Sequence, residues 1–411
     1  MSWETVRFGD LYAVESRNGL TKPGKVRGSG YKMINMGELF ANDRIYDIPM
    51  EFVPLKESEK LNARVECGDL LFARQSLVLE GAGKCSIVME VSPLTVFESH
   101  LIRVRLARSH PLPLLSYYYF RPSLSPVKSI VSQCAQAGIR GSDLQELQVI
   151  LPPIKVQQRI AEIISRYDDL IENNQKQIKL LEEAAQRLYK EWFVDLRFPG
   201  HEATPIVDGV PEGWKKDFLG GICTLKKDTV PAEQISTGTP YMGLEHMPRV
   251  DFCLSSWGNA DNVISSKFRY IEDDIIFGKI RPYFHKAGFA LNNGVVSTDS
   301  FVMKAKDGVW GLLLMTVFDR VFVDYTYQTC KEGSKMPRAD WNQMEKYPIL
   351  IPSEKTRRDF EKLIWNITRQ VKTLALQNHA LVEARDRLLP KLMRSSISVA
   401  TAAPPISAPA S

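Results

Sequence analysis

Shifted by 200 positions, residues 152–193 of this 411-residue chain lie on residues 352–393 without a gap. Pro152 meets Pro352 and Lys155 meets Lys355. Ile164, Leu181, Glu183, Ala184, Arg187 and Leu188 meet Ile364, Leu381, Glu383, Ala384, Arg387 and Leu388. A self-match of this length predicts two copies of one structural unit.

Both matched segments carry apolar residues at seven-residue spacing. One heptad position holds Ile160, Tyr167, Asn174, Leu181 and Leu188 in the first copy, and Phe360, Ile367, Leu374, Leu381 and Leu388 in the second. Such a stripe runs along one side of a helix and calls for a partner helix, for which the other copy is the natural choice. The stripe is wider than a strict two-position seam, which leaves room for a further docking surface. Asn174 is its polar member, and a buried Asn can fix register. Leu151-Pro152-Pro153 and Ile351-Pro352-Ser353 open the two segments. Proline suits the first helical turn and disfavours helix in the residue before it. Each helix is therefore expected to start abruptly after a strand-like run, and at about 40 residues to reach about 60 Å.

Two segments of similar size, 1–151 and 196–351, accompany the helices and repeat one another more weakly. Trp3 with Gly9 corresponds to Trp214 with Gly220, and 68–74 (GDLLFAR) to 273–279 (DDIIFGK). Ala82-Gly83 is matched to Ala287-Gly288, Leu101-Ile102 to Phe301-Val302, and Gln133 with Gly138 to Gln328 with Gly333. Short β-branched runs broken by Gly, Pro and Asn read as mixed, strand-rich α/β. The frameworks agree while the intervening loops diverge, as expected of two scaffolds that bind different targets. Phe198-Pro199-Gly200 to Val210-Pro211-Glu212-Gly213-Trp214 reads as the linker between them.

Charge does not announce a partner. Residues 1–151 hold 18 basic and 16 acidic side chains, and 196–351 hold 18 and 19. Six scattered cysteines without a Cys-x-x-Cys pair argue against a disulfide framework or a zinc ribbon and suit a reducing cytoplasm. There is no apolar run of transmembrane length, and Met1-Ser2-Trp3-Glu4 does not begin a signal peptide. The Ala/Pro/Ser-rich end, 395–411, reads as a disordered tail. Gly81-Ala82-Gly83-Lys84 lacks the first Gly and the final Ser or Thr of a phosphate loop, having Val78 and Cys85 there. The six histidines show no metal-ligand spacing, Asp273-Asp274 suits a turn or strand edge, and no nucleophile elbow occurs. These absences favour binding and positioning over catalysis.

The order of these parts resembles the specificity subunit of type I restriction–modification systems. The resemblance is carried by Leu151-Pro152-Pro153-Ile154 with Gln157-Gln158-Arg159-Ile160, by 180–193, by Pro211-Glu212-Gly213-Trp214, and by 68–74 with 273–279. The second copy departs from it, with Arg357-Arg358 in place of Gln157-Gln158. The resemblance implies an α+β chain with pseudo-two-fold symmetry. Target recognition domain 1 would be 1–151, a spacer helix 152–195, linker and target recognition domain 2 196–351, and a second spacer helix 352–394, the helices packing as an antiparallel coiled coil. Each domain would read half of a split site in double-stranded DNA. Two methyltransferase subunits would dock on the chain, with a motor and nuclease subunit joining for cleavage. S-adenosylmethionine, ATP and Mg would belong to those partners, leaving this chain non-catalytic, without cofactor or metal, and cytoplasmic. A methylation-only complex, or a coiled-coil adaptor without DNA specificity, is the alternative.

Side chains able to reach base edges or phosphates follow from that expectation. Lys22, Lys25 and Arg27 lie in a Gly-rich basic loop suited to phosphates. Arg74 with Gln75, and Lys279 with Arg281, are expected in loops just past a buried strand, as base readers. Arg140, and Lys335 with Arg338, precede the two long helices in equivalent loops, and Tyr283 and Lys286 are further candidates.

Overall fold

A computed structural model describes residues 3–107, 112–122, 124–133, 137–330 and 336–397. The predicted tail therefore lies, from 398 on, outside the described residues. The chain divides into two compact units, Met1–Asp169 with Val382–Ser411, and Leu170–Leu381. Each unit combines one globular segment with parts of both long helices.

In the first unit a five-stranded sheet runs in the order Tyr12–Asn18, Leu101–Leu106, Leu70–Ala73, Cys85–Val88, Arg44–Ile45. Its pairings are antiparallel except the last, which is parallel. The second unit repeats that order with Cys223–Lys226, Ser300–Ala305, Ile275–Gly278, Ala287–Ala290 and Cys253–Leu254, again with a parallel last pair. In both, an outer two-stranded ribbon leads into a long helix: Glu4–Arg7 pairs with Gln148–Leu151, and Lys215–Phe218 with Pro348–Ile351.

The central strand explains why these sheets are internal. Leu70, Leu71, Phe72 and Ala73 are all fully buried, so both faces are covered and the strand reads as an unbroken apolar run. Leu71 and Ala73 join the cluster around Met33, Ile34 and Val96. Phe72 points the other way, to Phe8 and Phe120. Ile275 and Phe277 likewise face one core and Ile276 another. The turn before each strand is tied by an aspartate. Asp69 accepts from Glu66 N at 2.8 Å and takes both Nε and Nη2 of Arg105 at 2.7 Å. Asp274 accepts from Ile271 N at 2.8 Å and pairs with Lys226 at 2.5 Å. The residue before it is left-handed in both units, Gly68 at φ 88° and Asp273 at φ 65°. A Cβ on Gly9 or Gly220 would come within 3.2 Å of Gln145 or Glu345, a matching close approach in the two units.

Three of the predicted correspondences are out of register, one of them Gly138, which pairs with Gln75 as Arg338 bridges to Ile280, so that Arg338 rather than Gly333 answers to it. Phe72 pairs with Cys85 and Phe277 with Ala287, so Ala287 answers to Cys85 rather than to Ala82. Ala73 pairs with Leu101 and Gly278 with Ser300, so Phe301 answers to Ile102. Loops of unequal length between matched strands moved the alignment.

The long helices span Ile154–Tyr189, continued by a wider π turn to Val194, and Glu354–Met393. They start two residues later than expected, after Pro152-Pro153 and Pro352-Ser353, and Gln157 Nε2 closes the first start by donating to Pro152 O at 2.7 Å. In the second unit they run antiparallel: Asn174 meets Asn378, while Phe193 meets Phe360 at a ring separation of 4.7 Å. In the first unit Arg385 Nη1 reaches Asp168 Oδ1 at 2.5 Å, with both side chains buried.

The predicted stripe holds only in part. In the first helix Ile160, Tyr167 and Asn174 are buried, but Leu181 and Leu188 are half-buried. In the second, Phe360 is buried while Ile367, Leu374, Leu381 and Leu388 are half-buried. The buried line there is Ile364, Thr368, Val371, Ala375, Arg385, Leu389 and Leu392. These helices pack against globular segments as well as each other, so the apolar surface is broader than a seam, and its centre holds Thr and Arg that a search for apolar residues passes over.

The expected linker is packed at its ends. Phe198 and Trp214 are buried in the second unit with rings 4.7 Å apart.

Candidate nucleic-acid interface

In each unit the central strand ends at a basic residue whose backbone is held on both sides. Arg74 N donates to His100 O at 2.8 Å, and Arg74 O accepts from Ile139 N at 2.9 Å. Lys279 N donates to Asp299 O, and Lys279 O accepts from Ala339 N, both at 2.8 Å. The frame is the same and the side chain differs. Arg74 and Gln75 were expected in a loop, but Gln75–Ser76 is a short strand paired with Ala137–Gly138. Its counterpart in the second unit is the single bridge Ile280–Arg338. Gln75 Oε1 lies 3.0 Å from His100 Nδ1. Lys279 Nζ donates to Thr298 O at 2.6 Å and lies over the rings of Phe301 and Phe268, 4.6 and 5.2 Å from their centres. Burial lowers the pKa of its ammonium, and the charge of Asp299 opposes that shift.

Beside Lys279 the second unit has an open cleft of about 820 Å³, whose lining includes Lys226, Lys227, Phe268, Lys279, Arg338 and Trp341. Arg338 Nη1 pairs with Asp299 Oδ1 at 3.1 Å on its rim. Cationic and aromatic side chains are thus brought to one place. Lys226, Lys227, Phe268 and Trp341 were not foreseen. The adjacent lysines at the end of a strand-like run were the available signal.

Other predicted residues are differently employed. Lys22 Nζ is tied to Glu59 at 2.8 Å. Arg27 is paired with Glu51 and donates to Lys22 O at 2.9 Å and Asn35 Oδ1 at 3.1 Å. The loop is therefore braced by two of its three cations, and Lys25 is the exposed one. Arg140 is exposed just before the short helix Gly141–Gln145. Arg281 is half-buried, left-handed at φ 50°, and lies over Phe284. Tyr283 is partly exposed and packs edge-on to Tyr327. Lys286 donates to Leu244 O, as Lys84 donates to Phe40 O at the matching place in the first unit, so both brace their strands. Lys335 lies outside the described residues.

Residues 1–183 match the family model described as the type I restriction modification DNA specificity domain. Over 92% of its length the chain is similar to the type I restriction enzyme MjaIX specificity subunit of Methanocaldococcus jannaschii, at 24% identity and covering 92% of that protein. Both similarities are to specificity subunits of type I restriction–modification systems, the family model covering the first 183 residues of this chain. Its similarity to the EcoKI specificity subunit of Escherichia coli is more local, 28% identity over 38% of this chain and 33% of that one. The fold is similar to that of a type I restriction–modification S subunit from M. genitalium, with a TM-score of 0.55, 14% identity, and 95% and 96% of the two chains covered.

Among the described residues no group of three or more His, Cys, Asp or Glu side chains is placed to hold a metal ion. No helix among them is long and apolar enough to cross a membrane.

Proposed function

We propose that this specificity subunit reads a bipartite site in double-stranded DNA, each unit taking one half. The observation that supports this most is the duplicated clamp: one sheet order and one pair of backbone hydrogen bonds hold Arg74 in the first unit and Lys279 in the second. A shared frame with different side chains and loops is what two readers of unlike sequences require. Arg74, Gln75 and Arg140 would serve one half-site, and Lys279, Arg338 and Lys227 the other, with Lys25 on phosphate.

The helix pair would act as the spacer between half-sites and as the seat of two methyltransferase subunits. S-adenosylmethionine binding and methyl transfer to adenine would be theirs, and ATP- and Mg-dependent cleavage would need a motor and nuclease subunit. The chain itself would bind no cofactor and catalyse nothing.

Co-expression with the neighbouring methyltransferase genes, followed by adenine-methylation mapping, tests the reading. A split motif of two defined halves is expected, and the purified chain incubated alone with DNA, Mg²⁺ and S-adenosylmethionine should leave the DNA unmodified. A continuous motif, or no sequence preference with partners present, overturns it.

A further inference from the structure

The first unit carries an exposed aliphatic tip directly after its clamp. Leu77, Val78 and Leu79 are 89%, 59% and 47% exposed. Three consecutive exposed aliphatic residues are disfavoured on a surface without a purpose for them. The tip is nonetheless well held. Val78 N donates to Ser76 Oγ at 3.2 Å, Gly81 N to Val78 O at 3.1 Å, and Gly83 N to Ala73 O at 2.8 Å. A Cβ on Gly81 would lie 2.3 Å from Ser76 Oγ, so the loop closes tightly on its base. The corresponding connection in the second unit, 280–285 against 75–83, is three residues shorter and exposes Tyr283 instead.

We infer that Leu77 and Val78 determine specificity by packing on the C5-methyl group of thymine in the half-site read by the first unit. This rests on the bipartite reading above. The apolar tip needs an apolar counterpart, and the major groove of DNA offers one without unstacking, the thymine methyl. Gln75, two residues before Leu77, is of the side-chain type that pairs with adenine N6 and N7, and thymine is the partner of that adenine. One short segment thus presents the complements of both edges of an A·T pair.

The test uses the full complex with its methyltransferase subunits and a duplex containing the mapped site. Each thymine of the first unit's half-site is replaced in turn by deoxyuridine, which lacks only the methyl group. At one or more positions binding should weaken about fourfold, the value of one buried methyl-sized group. Leu77→Ala with Val78→Ala should weaken binding to the thymine duplex to a similar degree and erase the deoxyuridine effect, with the melting temperature unchanged because both side chains are exposed. Three outcomes overturn the inference: no deoxyuridine position matters, the effect persists undiminished in the double variant, or the half-site contains no thymine. A double variant that binds DNA normally but fails to assemble with the methyltransferase also overturns it, and makes the tip a subunit contact. If the unaltered complex shows no site preference, the bipartite reading itself has failed; preference without a methyl effect removes this inference alone.

Discussion

Asn174 Nδ2 donates to Asn378 Oδ1 at 3.0 Å across the helix pair of the second unit, and Asn378 Nδ2 turns back to Ile171 O at 3.4 Å. The two amides answer each other in an otherwise largely apolar surface. Asn174→Leu would leave the half-buried Oδ1 of Asn378 without its donor and is expected to cost about 1 kcal/mol. Asn174→Leu with Asn378→Leu removes both and should recover most of that loss, while freeing the register that the pair selects. Denaturant unfolding of the two single variants and the double variant measures this; strictly additive losses would contradict it.

The clamps should be independent. Arg74→Ala is expected to relax one half of the recognised motif, and Lys279→Met, which keeps the stem between Phe268 and Phe301, the other. Each should lose about 1–3 kcal/mol of discrimination. Methylation mapping with partners present checks it, and an even loss of preference over both halves would refute separate readers.

Glu182 gives the second unit a pH dependence. It is buried on the first long helix, where Cys253 N donates to its Oε1 at 2.9 Å. Its carboxyl is pushed up to about 8, by burial first and by the charge of Asp251 second, against the backbone N–H donors of Cys253 and Phe252. The folded chain thus holds this proton more tightly than an unfolded chain, where a glutamate titrates at about 4.3. That stabilisation is complete below the unfolded value and is lost as pH rises through 8. Glu182→Gln keeps an acceptor for Cys253 N and carries no charge. Its melting temperature should fall less between pH 5 and 9 than the parent's, and equal slopes would remove Glu182 as the cause.

Under the spacer proposal, helix length sets the distance between half-sites. Seven residues inserted after Asn174 and seven before Asn378 preserve the heptad phase and lengthen the pair by about 10 Å. The preferred spacer should grow by about three base pairs at 3.4 Å each. Those pairs turn the groove by about 100°, so loss of tight bipartite binding with both half-sites still weakly bound also fits. A stable variant that keeps full affinity for the original spacer would separate helix length from spacing.

The duplication, the two long helices and the buried central strands were legible because they rest on period and on unbroken apolar runs. The centre of the helix surface was not. Thr368 and Arg385 sit in it, and their polarity hid the line between Ile364 and Leu392. The places of Arg74 and Lys279 at the ends of buried strands were legible, because those strands are recognisable apolar runs. The cleft beside Lys279 was not, because Trp341 reaches it only through the fold. Nor could charge counting separate Lys25 from Lys22 and Arg27, because Glu59 and Glu51, which occupy the latter two, are distant in the chain.

The second unit is one continuous stretch, Leu170–Leu381, whereas the first is completed only by residues from Val382 onward. Asp168 must wait for Arg385, 217 positions later, to be neutralised. Synthesis runs from the N-terminus, so the ribosome delivers every residue of the second unit before the last helical turns of the first. The unit that begins first is therefore finished last. A nascent chain halted shortly after Leu381 would hold every residue of the second unit and an unfinished first one, with Asp168 still lacking Arg385.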